Sequence, residues 1–370
     1  MRALRFILLM GVVSLLGDVV YEGARSVLGP YFATLGVSAL TLGFIVGASE
    51  FVGYGLRVVS GYLVDRRGWY WQATFLGYSM IMAIPLLALT RDWRIAALLV
   101  VLERLGKGIR SPAKDTILSF AAEEVGRGFG FGIHEALDQI GAFLGPAIMF
   151  AVLYLGLGYG AGFSIMLIPA TLLLVVLIYA WRRVPNPRTL ERGEGGGGIL
   201  LPYALFVFLS VAGLVNFQII SYGMKLGGVE EDVIPILYAL AMGVDALFAP
   251  VVGKLYDRMG FRTLLLVPLL TILVPLGFVF PLATLVYGSV MALHETVMRS
   301  AVAEISEVEK RGTAYGTVNL TYGLGALVGG VATGFLYGIS LSYVWVYVGV
   351  VELLALIILL KTSVSSQLIR

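Results

Sequence analysis

Stretches of about twenty mostly apolar residues follow one another along nearly the whole chain, separated by short connections bearing Gly, Pro or charge. About 20 apolar residues in a helix cross the hydrocarbon core of a bilayer. Backbone groups in lipid must be satisfied within the segment or within a closed barrel, and the alternating pattern of barrel strands is missing. The windows 6–26, 38–60, 70–89, 95–117, 130–154, 158–181, 200–221, 231–253, 263–280, 282–304, 313–338 and 341–361 are therefore expected to be twelve transmembrane helices. The composition agrees: 59% of residues are hydrophobic and 13% charged, whereas soluble domains carry about 25% charged residues. The expected fold is an all-α integral membrane protein with no room left for a soluble domain. Asp18 and Glu22 interrupt the first window, so it reads as a span and not as a cleaved signal segment. With no cysteine there is no disulfide framework, thiol nucleophile or Cys-based metal site.

Lys and Arg excess marks the cytoplasmic side of a membrane. Arg2, Arg5, Arg66, Arg67, Arg127, Arg182, Arg183, Arg188, Arg192, Lys254, Arg258, Arg262, Lys310, Arg311, Lys361 and Arg370 fall at the termini or in connections following even-numbered windows. The opposite connections hold Arg91 and Arg94 beside Asp92, and Lys225 beside Glu230, Glu231 and Asp232. Both termini are thus expected in the cytoplasm.

The long polar stretch WRRVPNPRTLERGEGGGG (181–198) has the Pro, Arg and Gly content of a flexible linker. It divides the chain into a bundle over 1–181, a linker over 182–199 and a second bundle over 200–370. Each half carries the same octapeptide between its second and third windows, GYLVDRRG at 61–68 and GKLYDRMG at 253–260. RGFGFG (127–132) echoes RGTAYG (311–316), and glycines then recur at one spacing, Gly132, Gly141, Gly145 and Gly316, Gly325, Gly329. Small residues let membrane helices approach closely, but close packing by itself does not account for equal spacing in both halves. The chain reads as a duplication.

Two six-helix halves joined by a cytoplasmic loop, with the turn Gly61-x-Leu63-x-Asp65-Arg66-x-Gly68 and its copy at Gly253, Asp257, Arg258 and Gly260, resemble the major facilitator superfamily of transporters. The resemblance covers essentially the whole chain. Trp69 departs from it where the family usually has Arg. Gly132, Gly141, Gly145 and Pro146 match the fifth-helix motif associated with exporters, although Met149 and Phe150 replace its trailing Gly pair. ERLGKGIRSPAKD (103–115) and GDVVYEGARSVLGPYF (17–32) are similar to a prokaryotic subgroup that includes metal-resistance permeases. The resemblance implies alternating access by rocking of two halves, with Asp65 and neighbouring cations holding the cytoplasmic side closed. It implies export in preference to uptake, and ties Arg104, which opens Arg-x-x-x-Gly, to proton coupling.

Charges in hydrocarbon cost at least about 2.5–3.5 kcal/mol each at a helix centre, so retained ones face a partner or an aqueous cavity. Candidates in the first half are Asp18, Glu22, Glu50, Arg57, Glu103, Arg104, Lys107, His134, Glu135 and Asp138; the second half holds Asp245, His294, Glu295 and Arg299. Asp18 and Glu22, four apart, share a helix face. Burial disfavours the charged form of a carboxylate, so a proton and a cation can compete for such a group, which is the simplest basis for antiport. Glu22 could instead pair with Arg25, and Glu50 could be a cavity carboxylate or the partner of Arg104. Lys114, near the cytoplasmic end, reads as a snorkelling side chain.

The chain's two histidines each precede a Glu. His134 and Asp138 lie on one helix face at a spacing that can share a metal ion, or His134 could carry a proton or simply pack. If a metal is bound, the candidate ligands are Asp18, Glu50, His134 and Asp138. The metalloprotease pattern His-Glu-x-x-His fails at Asp138 and Met298, so the chain is expected to be no enzyme.

The leading expectation is a proton-coupled exporter of a small cationic solute, an organic cation or a divalent metal, with Tyr21, Tyr31, Phe32, Phe51, Tyr54, Phe217 and Tyr222 available as aromatic walls. The alternative is uptake of a polar solute or organic anion, which would use Arg57, Arg104, Lys107 or Arg299 if these lacked carboxylate partners. A non-transporting membrane sensor is the reading from another class; it would normally carry a soluble signalling domain. No cofactor is expected beyond the proton gradient. The expected partners are membrane lipid and a small-molecule or ion substrate, with no nucleic acid, in a monomer of a prokaryotic cytoplasmic or inner membrane.

Overall fold

A computed structural model describes residues 2–125, 127–182, 201–305 and 311–365. The expected linker, apart from Arg182, lies outside the described residues, as do the side chains of Asp65 and Arg299 and the surroundings of Gly132. The described residues form helices and no strand. We label the segments α1 (Arg2–Thr34), α2 (Ala39–Arg67), α3 (Tyr70–Leu89), α4 (Trp93–Val125), α5 (Arg127–Tyr154) and α6 (Gly158–Trp181). They continue as α7 (Leu201–Leu226), α8 (Val233–Met259), α9 (260–278), α10 (284–305), α11 (Arg311–Ile339) and α12 (Leu341–Ser365).

Among the described residues, nine stretches are long and apolar enough to cross a membrane. One of them, Val233–Phe278, has 46 residues. At 1.5 Å per residue it would be roughly 69 Å long as one helix, more than twice the roughly 30 Å hydrocarbon thickness. Gly260, at φ 56°, breaks it into α8 and α9.

The two copies of the octapeptide end helices in related ways. Gly68 caps α2 in the left-handed region (φ 68°, ψ 24°), its N–H bonded to Val64 O at 2.8 Å. Gly260 follows α8 at φ 56° and ψ −138°, a conformation essentially open only to glycine. The same Gly thus serves two different exits.

Helix ends extend beyond the expected windows: α1 runs past Arg25 to Thr34 with Pro30 inside it, and α4 runs to Val125. α7 departs from continuity, unwinding at 214–216 between Gly213 and Phe217. In α10, residues Leu293–Met298 form wide π turns, a distortion common at functional sites.

Equal glycine spacing is matched by equal packing. A side-chain carbon at Gly141 or Gly145 would run into the α1 backbone at Leu15 and Val19, and one at Gly325 or Gly329 into the α7 backbone at Phe208 and Ala212. Each fifth helix therefore lies tightly on the first helix of its own half. Gly43 and Gly47 of α2 meet Gly330 and Ala326 of α11, and Gly29 of α1 meets Gln218 and Ser221 of α7. These crossings join the two halves at one end. The buried apolar core follows the chain: one cluster runs from Phe6 to Ala180 and adds Tyr222, and two others draw on 203–359, with Ala142 added to one.

Candidate functional site: a charged central cavity

Between the halves lies a cavity of about 1640 Å³. Its walls run from Arg25, Glu50 and Asn216 to Leu118, Tyr62 and Val302, toward the helix ends that carry the octapeptide of α2. At the other end the glycine crossings close it, and Tyr222 Oη donates to Val37 O at 2.9 Å across the halves.

The cavity gathers most of the expected residues. Asp18, Glu22, Glu50, Arg57, Arg104, Lys107, Lys114, His134, Glu135, Asp138, Asp245 and Glu295 all line it. Two do not. Glu103 is buried on α4 itself, where Arg110 Nη2 donates to its Oε1 at 3.4 Å and Arg104 Nε lies 3.9 Å from its Oε2. His294 is buried beside Tyr322, with Nδ1 3.2 Å from the hydroxyl and the rings edge-on. Both belong to the frame of the site: Glu103 is held by two cations of its own helix and His294 by Tyr322 of α11, and neither lines the cavity.

Most first-half carboxylates are already compensated. Arg104 Nη2 lies 2.9 Å and Arg25 Nη2 3.4 Å from Glu50 Oε1. Glu50 therefore lines the cavity and also pairs with Arg104, joining the two expected roles. Arg25 Nη1 is 3.8 Å from Glu22 Oε1, and Tyr238 Oη donates to Glu22 Oε2 at 2.6 Å. That last bond crosses from the second half to the first, and sequence reasoning passes over Tyr238 because a tyrosine in an apolar run carries no distinctive signal.

A second network surrounds Asp138. His134 Nδ1 lies 3.5 Å and Lys114 Nζ 4.0 Å from Asp138 Oδ2. Ser14 Oγ accepts from Lys114 at 3.1 Å, and lies 3.1 Å from His134 Nε2 and 3.2 Å from Tyr78 Oη. Lys114 is thus held inside the wall and does not snorkel: α4 continues to Val125, so residue 114 lies short of the helix end. Ser14, four residues before Asp18, could have been found from its place on the same helix face.

The four candidate metal ligands do not assemble. Among the described residues no group of three or more His, Asp or Glu side chains could hold a metal ion, because Glu50 is engaged by Arg104 and Arg25 while His134 and Asp138 belong to the Lys114 network.

Besides Glu135, which accepts a hydrogen bond from Gln139 at 3.2 Å, three charged groups of the cavity stand outside these networks. Asp18, Lys107 and Arg57 line it, and none has an oppositely charged group within 4.0 Å among the described residues. Tyr21 serves as a platform for cations: Lys107 Nζ stands 3.9 Å and the Arg104 guanidinium 4.2 Å from its ring centre. Arg57 lies 4.5 Å from the centre of the Tyr54 ring, and its buried Nε has no partner.

The octapeptide behaves locally. Gly61 lines the cavity, Arg66 Nη1 donates to Tyr62 Oη at 3.2 Å, and Arg67 lies 4.6 Å from the centre of the Trp69 ring. Arg66 thus turns back onto its own helix and not across to the other half. In the second copy Asp257 and Arg258 are exposed, and Gly253 faces Thr296 of α10. Of the exporter-like motif, Gly141 and Gly145 make the α1 packing described above and Pro146 lies within α5.

The family model described as Major Facilitator Superfamily matches residues 7–294 and 228–367. The chain belongs to the Major Facilitator Superfamily. It is a transporter by family and not an enzyme. This superfamily member is 39% identical to an uncharacterized protein of Mycobacterium tuberculosis, covering 97% of this chain and 93% of the relative. It is 29% identical to an uncharacterized MFS-type transporter of Methanocaldococcus jannaschii, covering 95% and 93%. Among solved structures it resembles a mutant of the nucleoside transporter NupG, with TM-score 0.79, 14% identity, and 96% and 99% coverage. A POT family transporter in complex with 5-aminolevulinic acid aligns with TM-score 0.77, 16% identity, and 98% and 96% coverage. At these identities the likeness establishes the fold of this superfamily member, a multi-pass membrane protein.

Proposed function

We propose that this superfamily member is a proton-coupled secondary transporter that moves a small solute bearing an anionic group by alternating access. The observation that carries the cargo assignment is the pair of cavity cations, Lys107 and Arg57, without carboxylate partners. By its count of acids alone the first half favours a cationic cargo. Glu22, Glu50 and Asp138, however, each have a cation within 4.0 Å, so most of that negative charge is already neutralised. A desolvated cation lacking a partner attracts an anionic ligand far more strongly than one already paired.

Asp18 is the proposed proton carrier. It lines the cavity without an ion-pair partner, so gain or loss of a proton changes the charge that the cargo meets. In this reading the chain makes twelve crossings in two six-helix bundles (1–181 and 200–370), with both termini cytoplasmic, as a monomer of a prokaryotic inner membrane. With that orientation the cavity opens to the cytoplasm. Rocking of the bundles about a midplane site would part the α1–α7 and α2–α11 crossings and close the opposite end. Export is the proposed direction, supported by Gly141, Gly145 and Pro146.

The test is solute-driven proton movement in proteoliposomes, measured with an internal pH dye, for panels of small carboxylates, phosphorylated solutes and quaternary amines. Anionic solutes should drive proton flux, Lys107→Gln should raise their KM about 10-fold, as expected for about 1.4 kcal/mol of lost contact, and Asp18→Asn should uncouple proton flux. Flux driven by the amines alone would overturn the cargo assignment, and unchanged coupling in Asp18→Asn would overturn its role as proton carrier.

A further inference from the structure

Away from the cavity, α12 carries a carboxylate that the site does not use. Glu352 is fully buried, and neither of its oxygens has a hydrogen-bond partner. Its Oε1 occupies the space where a side chain at Gly213 would begin, so only glycine at that position admits it. Gly213 is the last residue of the first part of α7, immediately before the unwound residues 214–216. One turn earlier on the same helix face stands Ser210, also fully buried, whose Oγ has no partner.

The break releases backbone acceptors at the same place, because the last carbonyls of a helix have no intrahelical donor. Tyr347 of α12 donates to one of them, Ala212 O, at 3.1 Å; the Gly213 carbonyl has no backbone donor among the described residues. Glu352 and Tyr347 thus bring α12 against the end of this α7 segment, in a seam where Gly213 carries a freed carbonyl and Ser210, one turn earlier, an unpartnered hydroxyl.

We infer that this seam is a sodium-binding site formed by Glu352, Ser210 and the Gly213 carbonyl. An unpaired carboxylate in this position carries a penalty that a bound cation removes. The donors are all oxygen, which suits a hard cation and not a transition metal. The local charge is that of one carboxylate, so a monovalent ion neutralises it, whereas a divalent ion would leave net positive charge in an apolar surrounding. Broken helix ends whose carbonyls face a cation are a known membrane solution to ion binding. The ion would tie α12 to the break in α7, the helix that meets α1 at Gly29, and so couple occupancy to the closed end of the cavity.

The purified full-length protein should unfold at a higher temperature in sodium chloride than in potassium or choline chloride of equal ionic strength. It should also retain radiolabelled sodium in equilibrium binding. Glu352→Gln, nearly the same shape, should abolish the sodium response while keeping the fold, and Ser210→Ala should weaken it several-fold. Equal stability in all three salts, or a sodium response that survives Glu352→Gln, overturns the site. A response to pH alone also overturns it, since a proton would then be the neutralising ion. Should Glu352→Gln fail to fold, sodium retention by the wild type, competed by lithium and not by choline, decides the matter. The readout is binding, so it stands or falls apart from the proposed proton-coupled transport.

Discussion

The two walls of the cavity come from helices that pack alike and carry different chemistry. The first-half wall is a mesh of charges, Arg25, Arg104 and Lys114 against Glu22, Glu50 and Asp138, at 2.9–4.0 Å. The second-half wall presents Tyr238, Tyr287 and Tyr322 with Asn216, Asp245 and Glu295, and Glu352, buried without a partner, sits behind α7. The packing rule was kept in both copies: Gly141 and Gly145 seat α5 on α1 as Gly325 and Gly329 seat α11 on α7. The backbone contacts, which depend on small residues at fixed spacing, are thus alike in the two halves, while the cavity side chains differ, since backbone geometry does not constrain them.

That contrast can be broken in three places. The largest effect is expected from Arg104→Ala. It leaves Glu50 with Arg25 alone at 3.4 Å, and removing one partner of a buried pair costs about 3–5 kcal/mol. Denaturation in detergent should show that loss, and a change below about 1 kcal/mol would mean that the charge mesh is solvated and contributes little. Tyr238→Phe comes next. It removes the 2.6 Å bond to Glu22 that links the walls, and a hydrogen bond to a charged group is worth about 1.5–3 kcal/mol. The same measurement should show it, together with altered cavity opening in distance measurements between labels on α1 and α8. The smallest effect belongs to His294→Leu, which loses one bond to Tyr322, about 1 kcal/mol. Its transport should keep the wild-type pH profile; a shifted profile would return His294 to the coupling residues and erase the difference between the walls.

Much of this was legible in the residues. Apolar windows of helical length announce spans because lipid forces each segment to satisfy its own backbone, and the Gly spacing announced the close helix pairs. Buried charges were also legible as candidates, since each is costly in hydrocarbon. Their partners were not. Glu103 and Glu50 are equally acidic in the sequence, yet one is locked by Arg110 of its own helix outside the cavity and the other lines the cavity. Lys114 looked like a snorkelling end, and it became part of the Asp138 network only because α4 continues beyond it.

Glu352 shows the same division. As a lone acid in an apolar run it was visible in VGVVELLAL, but its meaning depends on the break at 214–216 and on Gly213 facing it. Local physical rules act on a segment by itself, so the sequence determined the membrane class, the matching glycine spacings and the pool of charged residues. Pairing depends on distances of a few ångströms between helices far apart in the chain, so only the tertiary structure decided which charges are neutralised and which, like Asp18, Lys107 and Arg57, face the cavity without a charged partner.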